Sequence, residues 1–330
     1  MRHLFFVHSN ITYLVAGQVI RHEQLPPADC AMLFARNFAA ADCPVAFAKL
    51  PDVTFPLTPK LWETRRKIGL VDAAIAAATH GEPFQLYCPH TDNNLTRIAA
   101  THPQCAGLNY LEEGLSSYTT MGIGAKPFSL KNSLLGYALS GGRIPQLSFY
   151  EARYRQAYCI HASCFPGLPR KVVVGIPFKQ AVGAPDLGGQ QVLVLDALIE
   201  HNLVKAEKFA NALRFLFDRY RAAGVRRVYF KYHPIQAGKP ALQVFYRNLM
   251  AAYAGQIEFV ELPQPLVLED VAHTFANVTF TVIVSAVGFY ARLCDQPVYS
   301  LARVVEREDP GFRKVLTRIP PVFFEVVECL

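Results

Sequence analysis

The chain has 330 residues, which corresponds to about two domains of ordinary size. Hydrophobic residues make up 52% and charged residues 18%, a composition that excludes intrinsic disorder and supports large buried cores. Lys and Arg number 33 against 26 Asp and Glu, a formal net charge of +7. This excess suits an anionic partner. Nucleic acid is not expected, because the basic residues are dispersed and no binding motif accompanies them.

The sequence predicts neither a membrane span nor an export signal. The longest apolar run, residues 280–290, has about half of the roughly 20 residues that a transmembrane helix needs. Only four apolar residues separate Met1-Arg2-His3 from His8, and no small-residue cleavage site follows. The eight cysteines are scattered singly, without a CxxC pair, so we expect free thiols.

The first half of the chain alternates strand-like and helix-like segments, which predicts a parallel sheet covered by helices. Predicted strands lie at residues 4–7, 44–50, 84–88 and 107–111, and predicted helices at 13–21, 62–79 and 92–101. Between residues 118 and 170 the alternation gives way to mixed glycines, prolines, aromatics and arginines. We interpret this stretch as an irregular excursion, followed by a Gly-rich linker at residues 181–189.

A second alternation follows the linker. Its predicted strands lie at residues 192–195, 228–231, 257–260, 278–284 and 297–301, and its helices at 205–223, 241–254 and 286–294. The sequence therefore predicts two α/β domains, residues 1–185 and 186–330. Ligands of such sheets bind at the carboxyl ends of the strands, so we expect a site in a cleft between the two domains.

Two acids follow a predicted strand of the first domain, in Tyr110-Leu111-Glu112-Glu113-Gly114. A carboxylate at the carboxyl end of a strand can serve as general base on a hydroxyl, and the glycine would let a substrate approach the backbone. A solvated acidic turn explains the same residues equally simply.

Three further motifs lie in the second domain. His233, before Pro234 at a strand end, could donate a hydrogen bond to a phosphate when protonated, or be an ordinary loop histidine. Ser285 lies where a strand meets a helix, which suits anion binding or plain helix capping. Glu269, beside Asp270, could bind a ribose diol or complement the dipole of a helix.

Other motifs are absent. The sequence contains no GxGxxG after the first strand, no Walker A motif, no DxD pair and no GxSxG elbow. Cys159, His161 and Cys164 are closely spaced but lack a partner pair, so no metal site is predicted.

The order of these motifs resembles that of the bacterial sialyltransferases of the lipooligosaccharide sialyltransferase and capsular polysialyltransferase type. The segments that match are 6–9, 110–114 with Tyr118, 164–166, 231–234, 265–269 and 284–285. The resemblance implies a GT-B architecture, in which two Rossmann-like domains enclose a deep cleft. It also implies an inverting transfer of sialic acid from CMP-sialic acid to a hydroxyl of a cell-surface glycan, without a metal or another cofactor.

The resemblance also implies roles for individual residues. Glu113 matches the general base and His233 the donor to the CMP phosphate. Lys231 and Glu269 match positions that contact cytidine. Ser285 matches the first residue of a phosphate-binding Ser-Ser/Thr doublet, whose second residue is Ala286 here, a departure from the pattern. His8, Ser9 and Asn10, after the first strand, are assigned to acceptor binding.

Several alternatives stay open at the level of sequence. The donor could carry another CMP-activated nonulosonate, such as Kdo, legionaminic or pseudaminic acid. Lys-x-His-Pro also appears in glycerophosphotransferases that use CDP-glycerol. Ala286 would suit a degenerate subunit that binds a nucleotide or glycan without catalysis. We expect a cytoplasmic protein, with peripheral contact at the inner membrane as an option. The aromatic and basic residues of the irregular stretch would line an acceptor groove, lie on a membrane, or form a solvated loop with packed aromatics. The basic residues concerned are Arg143, Arg153, Arg155, Arg170 and Lys171.

Overall fold

The computed structural model describes residues 1–35, 38–40, 43–50, 61–91, 93–119, 138–144 and 153–330. Residue 92, the predicted start of a helix, and much of the irregular stretch at 118–170 lie outside these ranges. The chain divides into two compact units, Met1–Pro177 and Phe178–Leu330.

The first unit is built on a seven-stranded parallel sheet in the order β3-β2-β1-β4-β5-β6-β7. Its strands are β1 (Arg2–Val7), β2 (Cys30–Phe34), β3 (Ala46–Lys49), β4 (Phe84–Cys88), β5 (Cys105–Leu111), β6 (Tyr154–Cys159) and β7 (Lys171–Val173). Its described helices are α1 (Asn10–His22), α2 (Leu61–Thr79) and α3 (Asn94–Ala100), with 3-10 turns at Pro27–Asp29 and Leu115–Tyr118.

The second unit is built on a six-stranded parallel sheet in the order β10-β9-β8-β11-β12-β13. Its strands are β8 (Gln191–Leu195), β9 (Arg227–Tyr232), β10 (Glu258–Glu261), β11 (Thr279–Val282), β12 (Val298–Ser300) and β13 (Glu328–Cys329). Its helices are α4 (Ala206–Ala222), α5 (Pro234–Ala237), α6 (Pro240–Ala251), α7 (Leu268–Thr274), α8 (Ala286–Leu293), α9 (Ala302–Glu308), α10 (Arg313–Leu316) and α11 (Pro321–Val326), with a 3-10 turn at Pro310–Phe312.

Both sheets have the strand order of a Rossmann fold. In each, the chain builds outward from a central strand to one edge, then returns and builds toward the other, which creates a switch point beside the central strand. The switch points lie between β1 and β4 in the first unit and between β8 and β11 in the second. The fold class predicted from the sequence, two Rossmann-like α/β domains as in a GT-B chain, is thereby confirmed. The interdomain cleft of that architecture stays a prediction.

The division between the units falls at Pro177 and Phe178, before the predicted boundary at residues 185 and 186. The segment that follows Pro177 packs within the second unit. The backbone N–H of Lys179 donates to Asp270 Oδ1 at 2.9 Å, and that of Ala181 donates to Thr274 Oγ1 at 2.8 Å. These hydrogen bonds attach the start of the predicted linker to α7.

Apolar side chains account for the two cores. The central strand β1 is buried along its last four residues, as both faces of a parallel sheet require. In the second unit, α4 presents a stripe of buried apolar residues at helical spacing, Phe209, Leu213, Phe217 and Tyr220, and it ends before Gly224, whose φ is +70°. The eight cysteines, all in the described part of the chain, form no disulfide bond with one another, as predicted. Among the described residues, we find no helix with the length and hydropathy to cross a bilayer.

Four strands were missed by the sequence analysis: β2, β6, β7 and β13. The three at sheet positions away from the centre, β6, β7 and β13, carry polar residues or are very short, so they lack a clear apolar pattern. β2, like β1 and β8, contains a continuous apolar run, and it is buried at all five positions, so its sequence did carry a strand signal that was overlooked.

Gly288 allows α8 to approach the second sheet closely. A Cβ atom at this position would lie 2.8 Å from Val282 Cγ2 and 3.3 Å from Val298 Cγ1. Both neighbours are buried in the sheet, so neither can move away cheaply.

We therefore expect Gly288→Ala to lower the free energy of unfolding by about 1–3 kcal/mol, because the added methyl group overpacks the helix against the sheet. Gly69 in α2 is the matched control, since a Cβ atom there meets nothing within 4 Å. Gly69→Ala should raise stability by up to about 1 kcal/mol. Denaturant unfolding measures both changes, and a Gly288→Ala protein as stable as wild type would contradict the packing argument.

Candidate functional site

Three neighbouring strands of the first sheet end in polar residues that meet. β1 is followed by His8, β4 by Pro89 and His90, and β5 by Glu112 and Glu113. These strands lie side by side at the switch point, where the carboxyl ends of a parallel sheet form a crevice. The topology thus gathers His8, His90 and Glu113 although they are far apart in sequence.

The Glu113 carboxylate is held at both oxygens. His8 Nε2 lies 2.9 Å from Glu113 Oε2, and His90 Nε2 lies 3.7 Å from the same oxygen. Ser116 Oγ donates to Oε1 at 2.8 Å. The Glu113 side chain is 13% exposed, so its charge is stabilised mainly by these neighbours.

The surroundings of Glu113 set its pKa in opposing directions. Burial raises the pKa of the carboxyl, but the hydrogen bond with His8 and the charge of His90 outweigh burial, and the pKa lies below its ordinary value. Glu113 is therefore ionised at neutral pH and can accept a proton.

The two adjacent acids have different tasks. Glu112 is fully buried; its Oε1 accepts from Tyr118 Oη at 2.7 Å, and its Oε2 accepts from the backbone N–H of Ile160 at 2.6 Å. The Glu112 carboxylate thus links the end of β5 to Ile160, the residue that follows β6. Glu113 points the other way, because consecutive side chains of an extended segment alternate in direction.

The predicted acceptor-binding residues are placed differently from one another. His8 contacts Glu113, as described. Ser9 is the N-cap of α1, and its Oγ accepts from the backbone N–H of Thr12 at 3.3 Å, while Thr12 Oγ1 accepts from the N–H of Ser9. Asn10 begins α1. Ser9 therefore has a structural task of its own.

The basic residues proposed to line an acceptor groove have partners within the first unit. Arg143 forms a bidentate ion pair with Asp72 at 2.8 and 2.7 Å. The others donate to backbone carbonyl oxygens: Arg153 to Ala100, Arg155 to Ala106, Arg170 to Tyr154, and Lys171 to Ala162 and Cys164. These contacts engage all five side chains within the first unit, and Arg155 and Lys171 lie in the strands β6 and β7. Residues 120–137 and 145–152 of the stretch lie outside the described part.

The second sheet also gathers polar residues at the carboxyl ends of adjacent strands. Asp196 follows β8, His233 follows β9, and Ser285 lies between β11 and α8. This edge contains the switch point of the second unit, the usual position of a ligand in such a sheet.

His233 is fixed by a short turn of helix. It is the N-cap of α5, where its Nδ1 accepts from the backbone N–H of Ile235 at 3.3 Å. Its own N–H donates to Oε1 of Gln236, a fully buried side chain, at 2.8 Å. With Nδ1 acting as acceptor, the neutral imidazole carries its proton on Nε2.

The charge state of His233 differs from the protonated form considered from the sequence. Burial lowers the pKa of His233, and the charge of His201 lowers it further, although Glu200 acts in the opposite direction. The neutral form is thus favoured, and its Nε2–H remains a hydrogen-bond donor.

Asp196 anchors the loop that precedes α8. Its Oδ2 accepts from the backbone N–H groups of Ile283 at 3.0 Å and Val284 at 2.9 Å. Burial raises the pKa of Asp196 to about 6, although these hydrogen bonds and one with Ser285 oppose the shift. Ser285 caps α8 by accepting from the N–H of Val287 at 3.4 Å, and Ala286 is the first helical residue.

Lys231 and Glu269, both assigned to nucleotide binding, lie close enough to influence each other. Burial lowers the pKa of Lys231, and the charge of Glu269 raises it. Burial raises the pKa of Glu269, and its own backbone N–H and Lys231 lower it. Lys231 Nζ donates to the carbonyl oxygen of Leu266, just before α7. Lys231 and Glu269 therefore interact electrostatically.

Sequence reasoning missed His90, Asp196 and Gln236. Asp196 directly follows the apolar strand β8, and His90 lies two residues after the apolar strand β4. A search for polar residues at strand ends would have found both. Gln236 carries no such signal, because its role depends on a turn that only the folded chain reveals.

No family model matches the chain, and no curated protein matches it. Among solved structures, UDP-GlcNAc 2-epimerase from Methanocaldococcus jannaschii is similar, with 11% identity over 97% of this chain and 93% of that chain and a TM-score of 0.48. UDP-GlcNAc 2-epimerase from Neisseria meningitidis has 10% identity, coverages of 98% and 96%, and a TM-score of 0.46. Escherichia coli heptosyltransferase WaaC with ADP has 12% identity, coverages of 91% and 87%, and a TM-score of 0.43. We draw no functional argument from similarity at this level.

The contacts of the adjacent acids predict that substitution of Glu112 lowers stability more than substitution of Glu113. Glu112→Gln replaces an accepting oxygen by an NH2 group in a fully buried site that holds the Ile160 N–H and the Tyr118 hydroxyl. We expect it to lower the free energy of unfolding by about 1–3 kcal/mol. Glu113→Gln should change it by less than about 1 kcal/mol, since Gln can still accept from His8. Equal losses in denaturant unfolding would contradict the division of tasks.

Asp196 predicts a pH dependence of stability. Its pKa rises from 3.8 to about 6 on folding, so the folded state binds the proton more tightly. The resulting stabilisation is fully present below pH 3.8 and is lost as the pH rises through about 6. Relative to Asp196→Asn, which does not titrate, wild type should lose about 2 kcal/mol between about pH 4 and pH 7, most of the shift's full contribution at 1.36 kcal/mol per pKa unit. Denaturant unfolding at each pH measures the difference. If the free energies of unfolding of the two proteins differ by the same amount across this range, the raised pKa of Asp196 is refuted.

Proposed function

We propose that this chain is an inverting, metal-independent glycosyltransferase that moves sialic acid from CMP-sialic acid to a hydroxyl of a cell-surface glycan. The observation that carries the proposal is the ionised Glu113 carboxylate, held by His8 and Ser116 at the switch point of the first sheet. A largely buried, ionised carboxylate at this position is suited to accept a proton from a substrate hydroxyl.

In the proposed reaction, the acceptor hydroxyl oxygen attacks C2 of the donor sugar while Glu113 takes its proton. The bond between C2 and the phosphate oxygen breaks, and its electron pair leaves with CMP from the opposite face. The configuration at C2 is therefore inverted. The transition state resembles an oxocarbenium ion, and the phosphate leaving group accepts the negative charge.

The leaving phosphate would be bound by the carboxyl edge of the second sheet. His233 supplies a neutral Nε2–H donor whose orientation is fixed by Ile235 and Gln236. The first N–H groups of α8, beside Ser285, can supplement it, because helix N-termini attract anions. Since Ala286 lacks a hydroxyl, its backbone N–H is the group left to bind phosphate there.

Lys231 and Glu269 would bind the nucleoside. The two residues are partly buried, and the charge of each shifts the pKa of the other. Such a charged pair suits a polar ring or a ribose diol, because its hydrogen bonds replace those that the ligand loses with water. Other CMP-activated nonulosonates carry the same leaving group, so the residues that bind the sugar decide between donors. A degenerate subunit would bind CMP and release none from the donor.

The proposal is tested by incubating the protein with CMP-sialic acid, other CMP-nonulosonates and CDP-glycerol, and measuring the release of CMP and transfer to glycan acceptors. Glu113→Gln should lower turnover by about 10²–10⁴-fold with CMP affinity kept. His233→Ala should lower it by about 10²–10³-fold and weaken CMP binding. Glu325→Gln and His273→Ala, both at exposed positions, are the matched controls.

Near wild-type turnover of Glu113→Gln would remove Glu113 as the base. Binding of CMP without any release from the donors would favour the degenerate subunit, and preference for another donor in the set would replace sialic acid in the proposal.

A further inference from the structure

His8, His90 and Glu113 form a group whose ligand atoms all lie within 4.8 Å of one another. Each side chain offers one ligand atom: an imidazole nitrogen from each histidine and a carboxylate oxygen from Glu113. Because each residue follows a separate strand of one sheet, the backbone fixes their spacing before any ligand binds.

The separations suit a small tetrahedral ion. Zinc binds imidazole nitrogen and carboxylate oxygen at about 2.0–2.2 Å, which places neighbouring ligand atoms roughly 3.3 Å apart. The measured separations from Glu113 Oε2, 2.9 Å to His8 Nε2 and 3.7 Å to His90 Nε2, lie on either side of that value. Small rotations of the side chains are enough to enclose the ion.

The chemistry of the donor set selects the class of ion. Two imidazoles and one carboxylate favour zinc and similar first-row transition ions, whereas Mg²⁺ and Ca²⁺ require several oxygen ligands. Three protein ligands leave a fourth position of a tetrahedral ion for water or a substrate oxygen.

Binding of an ion requires a change at His8. In the hydrogen bond with Glu113, His8 Nε2 carries the proton, and a metal must replace it there. The His8 Nδ1 atom is buried and has no hydrogen-bond partner among the described residues. Nδ1 can therefore take the proton, at the cost of burying an N–H donor without an acceptor, and the bond to the metal must outweigh that cost.

We propose that His8, His90 and Glu113 form a binding site for a divalent transition ion of the zinc class. The ion takes the Oε2 lone pair of Glu113, so its binding inhibits transfer. The binding rests on the geometry of the three side chains alone, and the inhibition rests on the proposed function of Glu113.

Zinc affinity is measured first, by competition between the chelator-treated protein and a chromophoric chelator. We expect one zinc ion per chain. His8→Gln, His90→Gln and Glu113→Gln should each raise the dissociation constant by about tenfold or more, while His161→Gln leaves it unchanged. His161 lies between Cys159 and Cys164, so it controls for binding at those thiols. Thermal unfolding of each variant without metal checks that it is folded. If His8→Gln does not fold, because His8 is buried, the affinity of His90→Gln tests the site in its place.

Cobalt serves as a spectroscopic probe of the ligands. A tetrahedral Co²⁺ spectrum without a sulfur-to-cobalt charge-transfer band supports the site, and it should be lost in His90→Gln. A strong sulfur band, or affinities unchanged by all three substitutions, would overturn the proposal.

Transfer activity then tests the inhibition separately. Added zinc should lower the turnover of wild type, a chelator should restore it, and excess Mg²⁺ should have no effect. If zinc binds at the three residues and turnover stays complete, the proposed inhibition is wrong. It is also wrong if turnover requires the ion. If no donor is turned over under any condition, the proposed function fails, while the affinity and cobalt measurements still decide whether the metal site exists.

Discussion

The hydrogen bond between His8 and Glu113 is the interaction on which the candidate site depends. A carboxylate that is mostly shielded from water would bind a proton more tightly and lose its charge unless donors compensate for the lost hydration. His8, His90 and Ser116 provide that compensation from three directions. The cost of burying the charge is thus offset by groups that the sheet topology supplies, and the acid stays ionised.

The same hydrogen-bonding arrangement occurs at the carboxyl ends of the strands in both sheets. In each, a buried acid that follows one strand accepts hydrogen bonds from backbone N–H groups that follow the adjacent strand: Glu112 from Ile160, and Asp196 from Ile283 and Val284. Such an acid fixes the spacing between two strand ends. The neighbouring residues, Glu113 in one unit and Ser285 in the other, can then present polar atoms from a rigid backbone.

The sequence was sufficient for the fold class and for much of the helix and strand content, because apolar runs and helical stripes reflect burial directly. It was insufficient for the site. That Glu113 and not Glu112 faces the histidines depends on how β5 meets β6, and both acids look equal in sequence. His90 could not be linked to Glu113, since only the strand order β1-β4-β5 makes them neighbours. The backbone N–H groups of Lys179 and Ala181 are bound by α7, a contact that leaves no pattern in sequence.

The same properties that suit Glu113 to accept a proton also suit it to bind a metal ion. Both tasks need an ionised carboxylate, a lone pair directed away from the core, and shielding from bulk water. The proton positions of the two histidines decide between them: His8 with its proton on Nε2 donates to the carboxylate, and both histidines become ligands when Nε2 is free. A proton and a transition ion therefore compete for one oxygen atom, so base chemistry at this site requires that the histidines keep their protons toward Glu113.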